Sequence, residues 1–182
     1  TEERKGPRRL TASGLVTLQT MKRATRMVFI FSGFLGLYLM AAGGLIIGFF
    51  VLLAIALGYF YTKGPYSLAY LGLGDVFVFI FFGPIATCGT TYLQTLDISL
   101  VAFIAGLAPG LLSTAILISN NMRDVNEDRK ANKKTLIVRF GLQFGKKKYA
   151  YCMLIPALIP IVLILITKAH FFALISLAYL LL

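Results

Sequence analysis

The chain of 182 residues is 58% hydrophobic and only 14% charged, with 18 Lys and Arg against 7 Asp and Glu, a net charge of +11. Soluble domains are roughly a quarter charged, so this composition cannot coat a globular surface, and its hydrophobicity excludes a disordered chain. The basic excess is not a nucleic-acid signature, because it falls in short blocks separated by long uncharged runs.

Those runs contain 36 residues between Arg26 and Lys63, 21 between Asp75 and Asp97, 25 between Asp97 and Arg123, and 19 between Lys148 and Lys168. About 20 apolar residues cross a bilayer as a helix. The chain therefore reads as an all-α, polytopic transmembrane bundle with about six spans and one membrane-embedded domain over residues 1–182.

Residues 1–22 are polar and basic, with turn-forming Gly6-Pro7 and Ser13-Gly14, and read as a surface loop rather than a signal peptide. A helix starts near Lys22. The 36-residue run is too long for one span, and Ala41-Ala42-Gly43-Gly44 marks a turn that divides it into helices at about 23–42 and 45–62. Lys63-Gly64-Pro65 ends the second helix and opens a loop over 63–74.

Asp75 either caps or opens a third span, about 75–95, and Asp97 is a turn residue. The fourth span runs to about Asn120, and its Ala105, Gly106, Ala108 and Gly110 allow close helix packing. Residues 120–148 form the longest polar loop. A fifth span covers about 149–167, kinked by Pro156 and Pro160, and a sixth begins near Ala169. Residue 1 is Thr and the last apolar run is short, so a piece of a longer membrane protein is expected.

If the spans alternate in direction, 17 of the 18 basic residues share one side and only Lys168 lies on the other. The positive-inside rule makes that side cytoplasmic. His170 is the single histidine, which removes His-based zinc sites and Ser-His or Cys-His catalysis, and Cys88 and Cys152 lie in apolar runs.

Three of the seven acidic residues, Asp124, Glu127 and Asp128, fall within five positions. At 100° per residue, Asn121, Asp124 and Asp128 share a helical stripe about 60° wide, with Arg123 and Glu127 on a different face. Neighbouring carboxylates repel unless a cation lies between them, and Mg²⁺ suits one or two carboxylates plus phosphate oxygens. Arg123, Arg129, Lys130, Lys133, Lys134 and Arg139 suit a phosphate-rich ligand. The same stretch also reads as a solvated interfacial loop. Thr90, Thr91 and Gln94 read as cavity-lining or interhelical polar groups, and Tyr59, Tyr61, Tyr66 and Tyr70 as interfacial anchors.

Asn120-Asn121-x-Arg123-Asp124-x-x-x-Asp128, followed by Lys134-Thr135-Leu136 and Val138-Arg139-Phe140-Gly141, resembles the second aspartate-rich motif of the UbiA superfamily of intramembrane prenyltransferases. Gly6-Pro7-Arg8-Arg9-Leu10, Tyr70-Leu71-Gly72-Leu73-Gly74-Asp75, Phe82-Gly83-Pro84 and Tyr92-Leu93-Gln94 resemble its branch acting on 1,4-dihydroxy-2-naphthoate. The resemblance implies a bundle of about nine helices and two aspartate-rich motifs that bind a polyprenyl diphosphate through Mg²⁺. The first of those motifs is absent here.

By the same resemblance, Asn121, Asp124 and Asp128 hold the metal, Asn120 and Arg123 support the diphosphate, and Lys63 contacts it. Asp75 orients or deprotonates the aromatic acceptor. The implied reaction is Mg-dependent prenyl transfer giving demethylmenaquinone, in a bacterial plasma membrane with the site facing the cytoplasm. Other aromatic acceptors (4-hydroxybenzoate, homogentisate, a naphthoquinone) and a non-enzymatic transporter or structural subunit are the alternatives.

Overall fold

The computed structural model describes residues 10–11, 13–62, 68–168 and 174 of the chain. Every described element is helical, and they form two compact units, residues 1–67 and 68–182.

In the first unit, Ser13 and Gly14 turn the chain ahead of α1, Leu18–Thr62. A straight helix of 45 residues would measure roughly 68 Å, about twice the hydrocarbon core of a bilayer. It is instead broken at Gly44, where φ is 72° and ψ −166°. Only glycine adopts that backbone region readily. The two arms fold back on each other. Gly36 lies against Val51, Gly48 against Met40 and Gly58 against Phe29, pairs spaced almost symmetrically about the break. The expected division at Gly43-Gly44 is therefore present, with α1 starting four residues before Lys22. Gly44→Ala should destabilise this hairpin by about 1–3 kcal/mol, read as a lower thermal midpoint in detergent.

The second unit opens with α2, Leu68–Leu71, and α3, Gly74–Ile80, which continues through a π-helical turn at Phe81–Ile85 into α4, Ala86–Thr95. Pro84 has no N–H to donate and its ring crowds the preceding turn, so the helix widens there. Ser99 accepts from the Ala102 amide and caps α5, Leu100–Arg123.

Small residues bring α5 into contact with the π turn. A Cβ on Gly83 would lie 2.6 Å from the Gly106 carbonyl oxygen and 2.7 Å from Gly110 Cα; one on Gly110 would lie 2.6 Å from the Phe79 carbonyl. Gly106 and Gly110 are the small residues expected to permit close approach. The helices meet backbone to backbone, as spans do where lipid offers no hydrophobic drive for association. Thr90, Thr91 and Thr95 instead return their hydroxyls to carbonyls four residues back, and Asp97 caps its own turn by accepting from the Ile98 amide.

The polar stretch 120–148, expected as a loop, is mostly helical. After α5 come α6, Val125–Lys130, and α7, Leu136–Leu154, interrupted at Gly141. Thr135 caps α7 by accepting from the Val138 amide, and Ile137 is fully buried in the core with Ala115, Ile118, Val125 and Cys152. The Lys, Arg and Gln residues that gave the stretch its loop-like composition are good helix formers. The fifth span therefore starts before residue 149. It bends at a 3₁₀ turn, Ile155–Ala157, around Pro156 and ends as α8, Leu158–Thr167. The sixth span and Lys63 lie outside the described residues.

Four described stretches are long and apolar enough to cross a membrane: Leu18–Tyr61, Gly74–Thr95, Leu100–Arg123 and Leu136–Thr167. Large apolar side chains such as Phe34, Leu45, Ile116 and Leu165 point outward. An apolar solvent is the surrounding that suits them, and the protein is an integral membrane protein.

Candidate functional site

Polar segments far apart in sequence meet at one end of α5 in the second unit. Asp124 joins α5 to α6, at φ −97° and ψ 12°. The helical spacing survives this joint, because the Asp124 amide donates to the Asn120 carbonyl at 3.0 Å and the Asp128 amide to the Asp124 carbonyl at 2.8 Å. Asp128 is 5% exposed, and its Oδ1 accepts from Lys133 Nζ at 2.6 Å. Asp124 receives a two-pronged contact from Arg123, Nε to Oδ1 at 2.7 Å and Nη2 to Oδ2 at 3.0 Å.

Arg123, one residue earlier in α5, reaches round to Asp124 with its side chain. α5 ends at Arg123, and the guanidinium folds onto the carboxylate of the next residue.

The segment from Tyr70 to Asp75 docks on the same region. The Lys134 amide donates to the Tyr70 carbonyl at 2.8 Å, and Arg139 Nη2 donates to the Leu71 carbonyl at 2.9 Å. Gly72 has φ 80°, and a Cβ there would collide with the Lys134 carbonyl oxygen, so only glycine fits the crossing. Lys133 Nζ lies 5.8 Å from the centre of the Tyr70 ring, so one ammonium bridges Asp128 and Tyr70.

Asp75 stands in the first turn of α3 and is 5% exposed. Its side chain caps nothing. Oδ2 instead accepts from Lys148 Nζ on α7 at 2.5 Å. Three carboxylates from two segments of the chain, the start of α3 and the α5–α6 joint, thus each have a basic partner.

The model of the UbiA prenyltransferase family matches residues 1–182. The chain belongs to this family. It is 36% identical over 174 residues to a 1,4-dihydroxy-2-naphthoate octaprenyltransferase of Escherichia coli (strain K12), covering 92% of this chain and 56% of that protein. It is 33% identical over 174 residues to the protein of the same description in Mycobacterium tuberculosis (strain ATCC 25618 / H37Rv), covering 91% and 57%. A 2-carboxy-1,4-naphthoquinone phytyltransferase of Synechocystis sp. (strain ATCC 27184 / PCC 6803 / Kazusa) is 36% identical over 94 residues, covering 52% and 31%. The chain spans a little over half the length of the first two relatives. No solved structure matches it at the level these relatives reach.

Within this UbiA-family chain, Asp124, Asp128, Asn120, Asn121 and Arg123 sit together at the α5–α6 joint. Asn120 is exposed and Asn121 half-buried. Asp75 is held to Lys148 rather than to that joint. The donor set suits a hard divalent ion: two carboxylates one turn apart and an amide oxygen, with no sulfur or imidazole. Among the described residues no three His, Cys, Asp or Glu side chains group closely enough to hold an ion. A metal at the joint would therefore take further ligands from diphosphate and water.

Sequence reasoning counted Lys148 only toward topology and Lys133 only as one of many cations. The signal for Lys148 was present in Asp75 itself, since a carboxylate predicted to open an apolar span needs a buried counter-charge.

Proposed function

We propose that the protein carrying this chain transfers a polyprenyl group from polyprenyl diphosphate to 1,4-dihydroxy-2-naphthoate, releasing diphosphate and CO₂ and giving demethylmenaquinol, the reduced form of demethylmenaquinone. The observation that carries the reading is the α5–α6 joint, where Asp124 and nearly buried Asp128, each already paired with a cation, lie at the end of an apolar helix. The family and the printed descriptions of the relatives supply the chemistry and the acceptor.

In this reading Asp124, Asp128 and Asn121 hold Mg²⁺, and the ion's contribution is to neutralise charge on the departing diphosphate. Arg123 and Lys133, which pair these carboxylates, would donate to phosphate oxygens, and Asn120 supports the joint. Lys63, outside the described residues, is a further diphosphate contact proposed from the family resemblance alone. The allylic C–O bond breaks, and the electron-rich ring attacks the allylic carbon, with Asp75 on the acceptor side.

The site belongs on the cytoplasmic side of a bacterial plasma membrane, where 17 of the 18 basic residues would also fall. The contact of Lys148 with Asp75 agrees with that count, since it brings the 146–148 lysine run to the same end of the unit as α3's first turn.

The test is an assay of the intact protein in membranes, with labelled polyprenyl diphosphate and four acceptors: 1,4-dihydroxy-2-naphthoate, 4-hydroxybenzoate, homogentisate and 2-carboxy-1,4-naphthoquinone. Label is expected on dihydroxynaphthoate, lost on chelation and restored by Mg²⁺. Label on a different acceptor alone would overturn the substrate assignment. No transfer and no diphosphate release with any acceptor would favour a transporter or structural subunit.

A further inference from the structure

We infer that the outward face of α7 around Lys146, Lys147 and Tyr151 is a binding surface for the headgroups of anionic phospholipids. It concerns the lipid around the protein and stands whichever reaction the protein performs.

Three consecutive lysines, 146–148, occur where α7 passes from polar to apolar sequence. The fold treats them differently. Lys148 turns toward α3 and is neutralised by Asp75. Lys146 and Lys147 are exposed, and among the described residues neither has an ion pair or a hydrogen bond from its side chain. Residues 129–182 supply no remedy, since they hold nine Lys and Arg and no Asp or Glu.

The face on which Lys147 stands is set by the packing of α7. Gly145 and Cys152 are buried, with Gly145 against Met122 and Ile137, and this fixes the side turned into the unit. Lys147, Tyr151 and Leu154 follow at intervals of four and three residues and share a stripe about 60° wide on the other side. Tyr151 is 62% exposed and Leu154 59%.

Along the helix axis this stripe changes from ammonium to phenol to aliphatic over about 10 Å. A bilayer boundary has that profile. Its headgroup layer is about 5–8 Å thick on each side, and amphipathic rings settle within it. On the polar side of the lysines, Phe140 and Phe144 lie with ring centres 5.1 Å apart and are also exposed. Exposed rings on both sides of two unpaired ammonium groups suit a layer that offers acyl carbon and charge together.

Charge complementarity selects the lipid. A zwitterionic headgroup carries its own ammonium, which cancels its phosphate, whereas an anionic headgroup brings a net negative charge to the level of Lys146 and Lys147. Each lysine near an anionic membrane surface strengthens association about fivefold. Free phosphate or diphosphate could meet the same ammonium groups, but it would leave Tyr151 and Leu154 uncovered.

The experiment places the intact protein in vesicles of phosphatidylcholine mixed with phosphatidylglycerol, one of the two carrying a photoactivatable headgroup, and maps the crosslinks by mass spectrometry. Phosphatidylglycerol is expected to label residues 144–154 about 10-fold or more above phosphatidylcholine at equal content. Lys146→Gln/Lys147→Gln should bring the two lipids close to parity, and Lys146→Arg/Lys147→Arg should keep the preference. Both lysines are exposed, so the thermal midpoint should be unchanged in either variant. Salt at about 1 M, where charges are screened beyond about 3 Å, should erase most of the preference.

Equal labelling by the two lipids, or a preference that survives Lys146→Gln/Lys147→Gln, would overturn the assignment. Displacement of phosphatidylglycerol by inorganic phosphate or diphosphate would overturn it in favour of a site for soluble anions. Residues 144–154 left unlabelled by both lipids would mean that protein, and not lipid, covers this face.

Discussion

Asp128→Ala is expected to reduce prenyl transfer by the intact protein about 100-fold or more, the scale seen when one preorganised electrostatic group is removed from a reacting centre. Asp128 is nearly buried, its amide is fixed to the Asp124 carbonyl, and its carboxylate holds Lys133 at 2.6 Å over the Tyr70 ring. In the proposed function, deleting the carboxylate would remove an oxygen ligand of the metal that carries the diphosphate and would also release the Lys133 ammonium. Asp128→Asn separates the two contributions, because it preserves shape and hydrogen bonding while abolishing the negative charge. A thermal midpoint unchanged in Asp128→Asn, with turnover still depressed, would assign the effect to charge. Turnover within a few-fold of normal in both variants would remove the α5–α6 joint from the mechanism.

The second large effect is expected at Gly110→Leu. The added side chain has no room: the Phe79 carbonyl oxygen would be 2.6 Å from the new Cβ, and Gly83 Cα 3.1 Å away. Both obstacles are backbone, so no rotamer change relieves them and α5 must separate from the α3–α4 helix. Overpacking of this kind costs about 1–3 kcal/mol, or about 2–12 °C in the thermal midpoint of a chain this size. Because α3 carries Asp75 in its first turn, the displacement should also weaken the Asp75–Lys148 contact and reduce acceptor turnover. Gly110→Ala should show the same changes at smaller scale. A midpoint unaltered by Gly110→Leu would mean that the helices do not cross at this contact.

Much of the architecture was legible because membrane spans announce themselves by what they lack. The charge-free runs located the spans, and length alone demanded the break that falls at Gly44. The joint at Asn120–Asp128 was legible for a different reason, a rare cluster of acid residues beside an apolar run. Residues 136–148 were not, since composition separates polar from apolar but not loop from interfacial helix, and Ile137 and Thr135 decide the matter through burial and capping. The Arg123–Asp124 contact was not legible because a helical wheel places Cα directions and not the reach of a long side chain. The counter-ion of Asp75 could not be located from sequence, as a pairing across 73 residues depends on how α7 is set against α3.

That separation also has a consequence for biosynthesis. Ribosomes add roughly 5–20 residues each second, so about 4–15 s elapse between the synthesis of Asp75 and that of Lys148. During that interval the translocation machinery must insert α3 through α5 with the carboxylate still lacking its ammonium. The nascent chain therefore has reason to keep Asp75 at the wet edge of the bilayer until α7 arrives. Assembly of this unit is thus timed by its last helices, and a chain stalled before residue 148 would be expected to expose the start of α3 to quality-control proteases.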